Sequence, residues 1–320
     1  MTNFEFDWSD LAFGSKRPLK DLKATFIAAP REISQVRFTQ IVKEYLPKGN
    51  IILGISKEAF VEGLEGQPQF AMLQLETVQL LIDKINASSP HKVYILHYFQ
   101  REIVSIIEKI KPSRAVFING SWHHSFHTLP VYYLLTKERI LFELAAAFSN
   151  EDEARAYEQV TDKKISPLKL NEPLDDTDII QLTDKVAKAS YDNGFQTGTI
   201  LAKKTKHGYE PLLSAFNKVV PYQTYAMLHG ASRETHFSPP NDLNHYDTIH
   251  AEMLALIEAA KQGISLHDTT LFVNLMPCPA CARALSLTDI KEVVYRIDHS
   301  EGYAVDLLTK AGKSIRRMLY

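Results

Sequence analysis

The chain has 320 residues, of which 45% are hydrophobic and 23% charged, and its formal net charge is -2 at pH 7. This length exceeds one typical domain and suits two, and the near-neutral charge excludes a global basic field that would attract nucleic acid or an anionic membrane. The chain has two cysteines, Cys278 and Cys281. Because they lie three residues apart, a disulfide framework is excluded and a reducing compartment is expected.

The N-terminal segment Met1–Asp10 carries acidic and aromatic residues, without the basic and apolar regions of a secretory signal. No apolar run in the sequence is long enough to span a bilayer. These features predict a soluble, cytoplasmic protein with no membrane partner.

The first half of the chain alternates between predicted strands and predicted helices. Four short apolar runs bounded by polar or turn residues are predicted as strands: Ala24–Ala28, Ile51–Gly54, Val93–His97 and Ala115–Asn119. Stretches with helical periodicity lie between them: Glu32–Tyr45, Leu73–Ile85 and Arg101–Ile110. This alternation predicts an N-terminal parallel α/β domain over residues 1–160. Its last part, Tyr132–Val160, is predicted to be largely helical and to cover one sheet face.

The segment Thr161–Asp178 interrupts this alternation with a lysine pair, two prolines and a run of acidic residues. Such a composition is typical of a domain boundary. We therefore predict a linker at residues 161–177, between the N-terminal domain and a C-terminal domain at residues 178–320.

The C-terminal domain has a different order of predicted elements. It begins with a helix, Ile179–Tyr191, and two strands, Gly198–Lys203 and Pro211–Phe216, which are joined by a turn. A polar stretch, Pro221–Thr248, is predicted as a loop because it contains the sequence Pro-Pro-Asn-Asp. Helices and strands then alternate: helix His250–Lys261, strand Thr270–Leu275, helix Cys278–Leu287, strand Glu292–Ile297, helix Tyr303–Ala311 and strand Ser314–Leu319.

Two short motifs open two of these helices: His250-Ala251-Glu252 and Pro277-Cys278-Pro279-Ala280-Cys281. Together they supply one imidazole, two thiols and one carboxylate. The cysteines are at positions i and i+3, so both sulfurs share one helix face and can reach one metal ion. Three protein ligands leave the fourth position of a tetrahedral zinc ion open, as a catalytic site requires. A structural zinc site, the alternative, would need a fourth protein ligand, and the chain has no third cysteine.

This arrangement resembles the zinc-dependent nucleoside and nucleotide deaminases of the cytidine deaminase-like superfamily, whose signature is HxE followed by PCxxC. The resemblance covers about residues 178–320 and extends to the order of the elements. It implies a cytidine-deaminase-like three-layer α/β/α fold for the C-terminal domain, with zinc as the cofactor. It also implies that His250, Cys278 and Cys281 are the zinc ligands and that Glu252 is the catalytic proton shuttle.

Three further residues are predicted to bind the substrate. Asn217, just after the second strand, resembles the substrate-binding asparagine of the family, and Ala251 lies between the first ligand and Glu252. Arg233, in the long loop, is predicted to hold a 5′-phosphate by bidentate hydrogen bonds. For two of these residues a role without substrate binding stays open: Asn217 as a turn residue and Arg233 as a surface arginine. The resemblance also implies a homo-oligomer.

The first ligand is histidine, and a helix separates the last two strands, which should therefore run parallel. Both features resemble the branch that deaminates deoxycytidylate or adenosine in tRNA. Within it, Pro-Cys-Pro-Ala-Cys-Ala and the segments Ile290–Tyr295 and Leu307–Gly312 resemble deoxycytidylate deaminases. Leu254 departs from that pattern, because the subfamily usually has asparagine there. The expected reaction is zinc-dependent hydrolysis of a cytosine nucleotide, dCMP to dUMP and ammonia.

Other functions stay open beside this one. A deaminase of adenosine in tRNA would be expected to show a basic face, whereas residues 174–320 hold 15 Lys and Arg against 17 Asp and Glu. This balance favours a small nucleotide substrate over nucleic acid. The chain could also deaminate another small nucleobase compound, or be a non-catalytic zinc-stabilised scaffold with an N-terminal ligand-binding module. Glu252 argues against the scaffold, which would have no use for that acid.

Two clusters of polar residues allow more than one interpretation. Lys310, Lys313, Arg316 and Arg317 would form either a basic patch or a solvated edge. The N-terminal domain has no phosphate-binding loop and no GxGxxG motif, but Asn119–His127 follows a predicted strand, where open α/β sheets bind ligands. His123 and His127 would share a metal ion if this stretch is helical, and an ordinary polar loop is the alternative.

Overall fold

The computed structural model describes residues 4–14, 19, 22–28, 30–118, 126–165, 173–230 and 247–319. The chain forms two compact units. The first comprises Met1–Thr161 and Thr224–Tyr246, and the second comprises Asp162–Gln223 and Asp247–Tyr320. Among the described residues, no helix is both long enough and apolar enough to cross a lipid bilayer.

The first unit contains a six-stranded parallel sheet with the strand order β1-β4-β3-β2-β5-β6. The strands are β1 (Glu5–Asp7), β2 (Ala24–Ala28), β3 (Asn50–Ser56), β4 (Val93–Tyr98), β5 (Arg114–Ile118) and β6 (Leu141–Ala145). The four predicted strands correspond to β2, β3, β4 and β5 and are confirmed. Both faces of β2 and β3 are buried, which explains why these strands are continuous apolar runs.

The helices of the first unit are α1 (Trp8–Phe13), α2 (Gln35–Tyr45), α3 (Gln79–Ser88), α4 (Ile103–Ile110), α5 (Pro130–Glu138), α6 (Glu151–Asp162) and α8 (Tyr225–His229). The three helices predicted before residue 111 are confirmed as α2, α3 and α4, each with a later start. In α4, Ile103, Ile106, Ile107 and Ile110 are buried. This spacing puts all four side chains on one helix face, where they join the core over the sheet.

The prediction that Tyr132–Val160 is largely helical is wrong in its middle. The strand β6 lies there between two helices and pairs in parallel with β5. Five residues are too few to show a clear period, and Leu141–Ala145 forms a strand because β5 offers it a hydrogen-bonding partner. The same reason explains why β1, which pairs with β4, was not predicted.

Asp7 ends β1 and caps the helix that follows. Its Oδ1 accepts a hydrogen bond from the backbone N of Ser9 at 2.9 Å, and its Oδ2 lies 2.6 Å from Lys57 Nζ. Burial opposes ionisation of this carboxyl, but the hydrogen bonds from Lys57 and Ser9 outweigh it and lower the pKa of Asp7 to about 2. The ionised carboxylate therefore stabilises the folded first unit.

We expect Asp7→Asn to lower the free energy of unfolding by about 1 kcal/mol at neutral pH. Because the folded pKa lies below the ordinary value of 3.8, the wild-type advantage is complete above that value and is lost as the pH falls through about 2. Denaturant titrations at neutral and acidic pH measure this change. Asp83→Asn, at an exposed acid of α3, is the control. Equal stability of the Asp7 variant and wild type at neutral pH would contradict the prediction.

The second unit contains a five-stranded mixed sheet with the order β13-β12-β11-β7-β8. Its strands are β7 (Gly198–Thr205), β8 (Gly208–Phe216), β11 (Thr269–Leu275), β12 (Glu292–Ile297) and β13 (Ser314–Arg317), and two short strands, β9 (Lys218–Val219) and β10 (Thr248–Ile249), pair separately. β7 is antiparallel to β8 and β11, whereas β11, β12 and β13 are parallel. The predicted parallel pairing of the last two strands is confirmed.

Helices cover both faces of this sheet. α7 (Asp176–Ala187) lies on one face, and α9 (Ala251–Gln262), α10 (Pro279–Ser286) and α11 (Tyr303–Lys310) lie on the other. Alternate residues of a strand point to opposite faces, so Phe272 packs with α7 while Leu271 and Val273 pack with the other three helices. α7 approaches β7 so closely that a Cβ on Gly198 would lie 2.2 Å from the Thr183 carbonyl oxygen. The predicted three-layer α/β/α architecture is confirmed.

Two stretches predicted to lack helices and strands hold some regular structure. The predicted loop Pro221–Thr248 contains α8, whose Met227 carbonyl accepts a hydrogen bond from Ala147 N at 3.1 Å; residues 231–246 lie outside the described ones. Residues 166–172 of the predicted linker also lie outside them. Beyond these, Leu174 and Tyr209 exchange backbone hydrogen bonds of 2.9 and 2.8 Å, and α7 follows. In both stretches the regular structure is held by hydrogen bonds to residues that are distant in the sequence.

Candidate metal centre

One edge of the five-stranded sheet gathers the ends of several strands and the first turns of two helices. β8, β11 and β12 end at this edge, and β7 begins there because it is antiparallel to its neighbours. His250 is the N-cap of α9, and Cys278 is the N-cap of α10. The two motifs therefore meet at this edge, although 28 residues separate His250 from Cys278.

The imidazole of His250 faces both thiols. Its Nδ1 lies 3.4 Å from Cys278 Sγ and 3.4 Å from Cys281 Sγ. The ligand atoms of the three residues all lie within 4.8 Å of one another, and the described part of the chain holds no second group of this kind. His250 makes no side-chain capping bond to α9, and its Nδ1 faces the two sulfurs.

These donors fit a tetrahedral zinc ion. Zinc binds thiolate sulfur at about 2.3 Å and imidazole nitrogen at about 2.0 Å, so tetrahedral angles put the two donors roughly 3.5 Å apart. The observed separations of 3.4 Å match this value. One nitrogen and two sulfurs leave a fourth position for water or substrate, as in catalytic zinc sites. His250, Cys278 and Cys281 are thus a group that could hold the metal.

The start of α10 favours a thiolate at Cys278. Its Sγ accepts a hydrogen bond from the backbone N of Cys281 at 3.5 Å, at the positive end of the helix dipole. A hydrogen bond from the Cys281 thiol, together with one from His250, lowers the pKa of Cys278 to about 3. The same thiol–thiolate bond raises the pKa of Cys281. A bound cation would stabilise both thiolates together.

Glu252 lies in the first turn of α9, on the side of the metal-binding group. Its side chain is only 3% exposed, and it is hydrogen-bonded with the Cys281 thiol. Burial raises the pKa of Glu252 to about 6, because the charged carboxylate loses contact with water. A carboxyl group whose pKa lies near neutrality can both accept and return a proton, which is the property required of a general acid–base.

Two asparagines clamp the segment that leads into β7. Asn217 Oδ1 accepts a hydrogen bond from Thr197 N and its Nδ2 donates to Phe195 O, both at 2.7 Å. Asn274, near the end of β11, makes the equivalent bonds to Gly198 N at 3.0 Å and Gln196 O at 3.1 Å. The predicted substrate residue Asn217 is therefore buried at the same sheet edge as the metal-binding group, with its amide already engaged by the backbone.

The other predicted substrate residues have different positions. Ala251 is buried in the first turn of α9, with its carbonyl oxygen 3.4 Å from Thr199 Oγ1. Arg233 lies outside the described residues. Sequence reasoning missed Asn274, although an amide inside the apolar strand Thr-Thr-Leu-Phe-Val-Asn-Leu was a usable signal. It also missed Asp192, whose carboxylate accepts a hydrogen bond from Gly194 N and whose negative charge reaches His250.

The histidine-rich stretch of the first unit lies mostly outside the described residues, including His123. His127 is described and lies in a single turn of 3-10 helix, Phe126–Thr128. Its ring stands edge-on to Tyr132 at a centroid distance of 6.5 Å. The metal site considered for His123 and His127 stays a prediction.

The second unit matches a known family. Residues 175–297 match the family model described as the cytidine and deoxycytidylate deaminase zinc-binding region. The chain is 37% identical over 79 residues to the deoxycytidylate deaminase of Enterobacteria phage T4, a match that covers 24% of this chain and 41% of the phage protein. It is 44% identical over 62 residues to the tRNA-specific adenosine deaminase of Streptococcus pyogenes serotype M1, covering 19% of this chain and 36% of that protein.

The chain spans less than half the length of these relatives. Among solved structures, the dCMP deaminase of cyanophage S-TIM5 in complex with dCMP and dUMP is 22% identical, covering 44% of this chain and 95% of that one, with a TM-score of 0.35. The family match includes His250, Glu252, Cys278 and Cys281, the residues that meet at the sheet edge. Residues 175–297 of this chain are therefore similar to the zinc-binding region of the cytidine and deoxycytidylate deaminases.

Proposed function

We propose that the second unit is a zinc-dependent hydrolytic deaminase of a cytosine nucleotide, which converts dCMP to dUMP and ammonia. The observation that carries this proposal is the buried carboxylate of Glu252 beside the three metal-binding donors. Burying a carboxylate costs desolvation free energy, and a purely structural metal site gains nothing from it. Hydrolysis, in contrast, needs a group that moves protons.

The reaction replaces the exocyclic amine at C4 of the base with an oxygen atom from water. Zinc held by His250, Cys278 and Cys281 would supply a Lewis acid that activates this water. Glu252 takes the first proton of the water and delivers it to the ring nitrogen N3. It then takes the second proton and delivers it to the departing amine. Ammonia leaves, uracil remains, and the carboxylate of Glu252 is restored.

A cytosine nucleotide is favoured by two kinds of observation. Relatives in the phages T2 and T4 are deoxycytidylate deaminases, and the family model carries the same activity in its description. His250 as the first metal-binding residue and the parallel strands β12 and β13 resemble the branch that deaminates deoxycytidylate or adenosine in tRNA. Within that branch, the segments Pro277–Ala282, Ile290–Tyr295 and Leu307–Gly312 resemble the deoxycytidylate deaminases. The substrate contacts of Asn217, Ala251 and Arg233, the homo-oligomer and the cytoplasmic location remain predictions of this proposal.

The basic residues near the C-terminus argue against a polynucleotide substrate. Lys310 Nζ lies 2.6 Å from Asp306, Arg316 lies 2.6 Å from Asp176, and Arg317 is paired with Asp298. Lys313 Nζ donates to the Ile290 carbonyl oxygen at 2.8 Å. Each of the four cationic side chains is thus bonded to an acceptor of its own unit. The cluster is therefore a set of paired charges rather than an open phosphate-binding patch.

A substrate screen tests the proposal directly. Zinc-loaded protein is assayed for ammonia release with dCMP, CMP, deoxycytidine, cytosine, guanine and adenosine, and with an RNA stem-loop that contains adenosine. We expect turnover of dCMP to exceed that of every other compound by at least about tenfold, which corresponds to roughly 1.4 kcal/mol of discrimination in the transition state. The chelated protein, which lacks metal, serves as the control and should release no ammonia.

Other outcomes of the screen would point elsewhere. Preferred turnover of the RNA, with activity that falls steeply as salt rises, would replace the nucleotide proposal with a polynucleotide deaminase. Turnover of a different free base or nucleoside would change the substrate and keep the reaction. No ammonia release from any of the compounds, with zinc bound, would contradict the enzymatic proposal and favour a zinc-stabilised scaffold.

A further inference from the structure

The carboxylate of Asp192 uses both of its oxygens in the second unit. Oδ1 accepts hydrogen bonds from the backbone N of Gly194 at 2.7 Å and of Phe195 at 3.2 Å. Oδ2 accepts a hydrogen bond from the hydroxyl of Thr248 at 2.9 Å. One side chain thus closes the turn that leads into β7 and joins it to a residue 56 positions later.

Thr248 lies two residues before His250. It is the first residue of β10, which pairs antiparallel with β9 through Thr248 with Val219 and Ile249 with Lys218. The chain that enters His250 is therefore held by β9 through its backbone and by Asp192 through a side chain. Neither contact involves the imidazole, so both act on where the main chain places it.

The contacts of Asp192, Thr248, β9 and Asn217 form a closed cycle of interactions. Asp192 binds Thr248, β10 pairs with β9, and β9 directly follows Asn217. The amide of Asn217 returns to the turn by binding Phe195 and Thr197. Because this cycle of interactions returns to the turn that begins at Asp192, the backbone before α9 has little freedom to shift. His250 Nδ1 needs such restraint, since it must lie 3.4 Å from two sulfurs at once.

We infer that Asp192 is a positioning residue for the metal centre, acting on His250 through the hydroxyl of Thr248. The inference rests on the part of the proposed function in which His250, Cys278 and Cys281 bind a metal ion. Outer contacts that orient a metal ligand are typically worth 10- to 100-fold in affinity. The hydrogen bond of Asp192 goes to Thr248, two residues before His250, so we place its effect on zinc affinity at the lower end of that range.

The test measures metal affinity without any substrate. Zinc dissociation constants are obtained by competition with a chelator, and cobalt is used as a second probe because its absorption bands report the geometry of the ligands. Thr248→Val removes the hydroxyl and leaves the Asp192 charge in place, whereas Thr248→Ser keeps the hydroxyl. Thr205→Val is the matched control, because its hydroxyl bonds to Gly208 O at 3.0 Å at the other end of β7.

We expect Thr248→Val to weaken zinc binding by about tenfold and to shift the cobalt bands. Thr248→Ser should restore both properties, and Thr205→Val should leave them unchanged. Asp192→Asn keeps an acceptor for the two backbone N–H groups and should weaken zinc binding less in the Thr248→Val background than in wild type. This non-additive result would show that Asp192 and Thr248 act on zinc binding together rather than independently.

Two results would overturn the inference. One is equal zinc affinity in Thr248→Val and wild type while thermal unfolding of the metal-free protein shows lower stability, because the hydroxyl would then be only structural. The other is a Thr248→Ser variant as weak as Thr248→Val. Because neither readout uses catalysis, a protein that binds zinc but fails to deaminate dCMP would contradict the proposed function and leave this test intact.

Discussion

Glu252→Gln is expected to lower kcat for deamination by about 10²- to 10⁴-fold while zinc stays bound. Glutamine keeps the size of the side chain and can still hydrogen-bond with Cys281, but it cannot take a proton from water. The buried site offers no ready substitute, because Glu252 is only 3% exposed and bulk water is excluded around it. Steady-state rates of ammonia release from dCMP, with zinc content measured on the same samples, check this prediction.

Glu258→Gln is the matched control, because Glu258 lies on the same helix and pairs with Lys261 at 2.8 Å, away from the metal-binding group. It should retain the wild-type rate and zinc content. A Glu252→Gln variant that keeps a near-wild-type rate would contradict the proposed mechanism. Loss of zinc from that variant would show that Glu252 supports the metal rather than the proton transfers.

Cys281→Ala is expected to weaken zinc binding by at least about 10²-fold and to lower the unfolding temperature. Zinc sites in small domains release about 10–16 kcal/mol on binding, and one ligand of three carries a substantial share of it. Cys281 is 1% exposed and touches both Glu252 and Cys278, so its truncation leaves a cavity and also removes a predicted metal ligand. Chelator competition and thermal unfolding with and without added zinc measure both effects.

Ser286→Ala is the control on the same helix, where the hydroxyl bonds only to the Arg283 carbonyl oxygen among the contacts described. It should leave zinc affinity unchanged. Wild-type protein treated with chelator should unfold at a temperature close to that of the cysteine variant. If Cys281→Ala binds zinc as tightly as wild type, the metal-binding group has been assigned incorrectly.

Short-range patterns account for what the sequence predicted well. An apolar run such as Ala24–Ala28 or Glu292–Ile297 carries its strand signal within a few residues, and both bounds match the structure. The HAE and PCxxC motifs are equally local, since each lies within five residues at the start of a helix. Gly263 likewise ends α9 in a left-handed conformation, as expected of a helix stop.

Long-range pairing accounts for what the sequence left open. β6 was assigned to a helical stretch because its strand character depends on β5. Asn274 binds Gly198, 76 residues away, and Asp192 binds Thr248, 56 residues away. No window of sequence contains both partners, so these contacts could not be derived from spacing.

The residue types and their spacing determined, from the sequence alone, that this chain carries the donors of a zinc site and an acid beside them. Only the tertiary structure decided that Nδ1 of His250 meets both sulfurs, that Glu252 is buried against Cys281, and which side chains hold the surrounding turn. The reason is physical. Ligand chemistry belongs to the residue, whereas distance, burial and hence pKa arise only when separate strands and helices pack at one sheet edge.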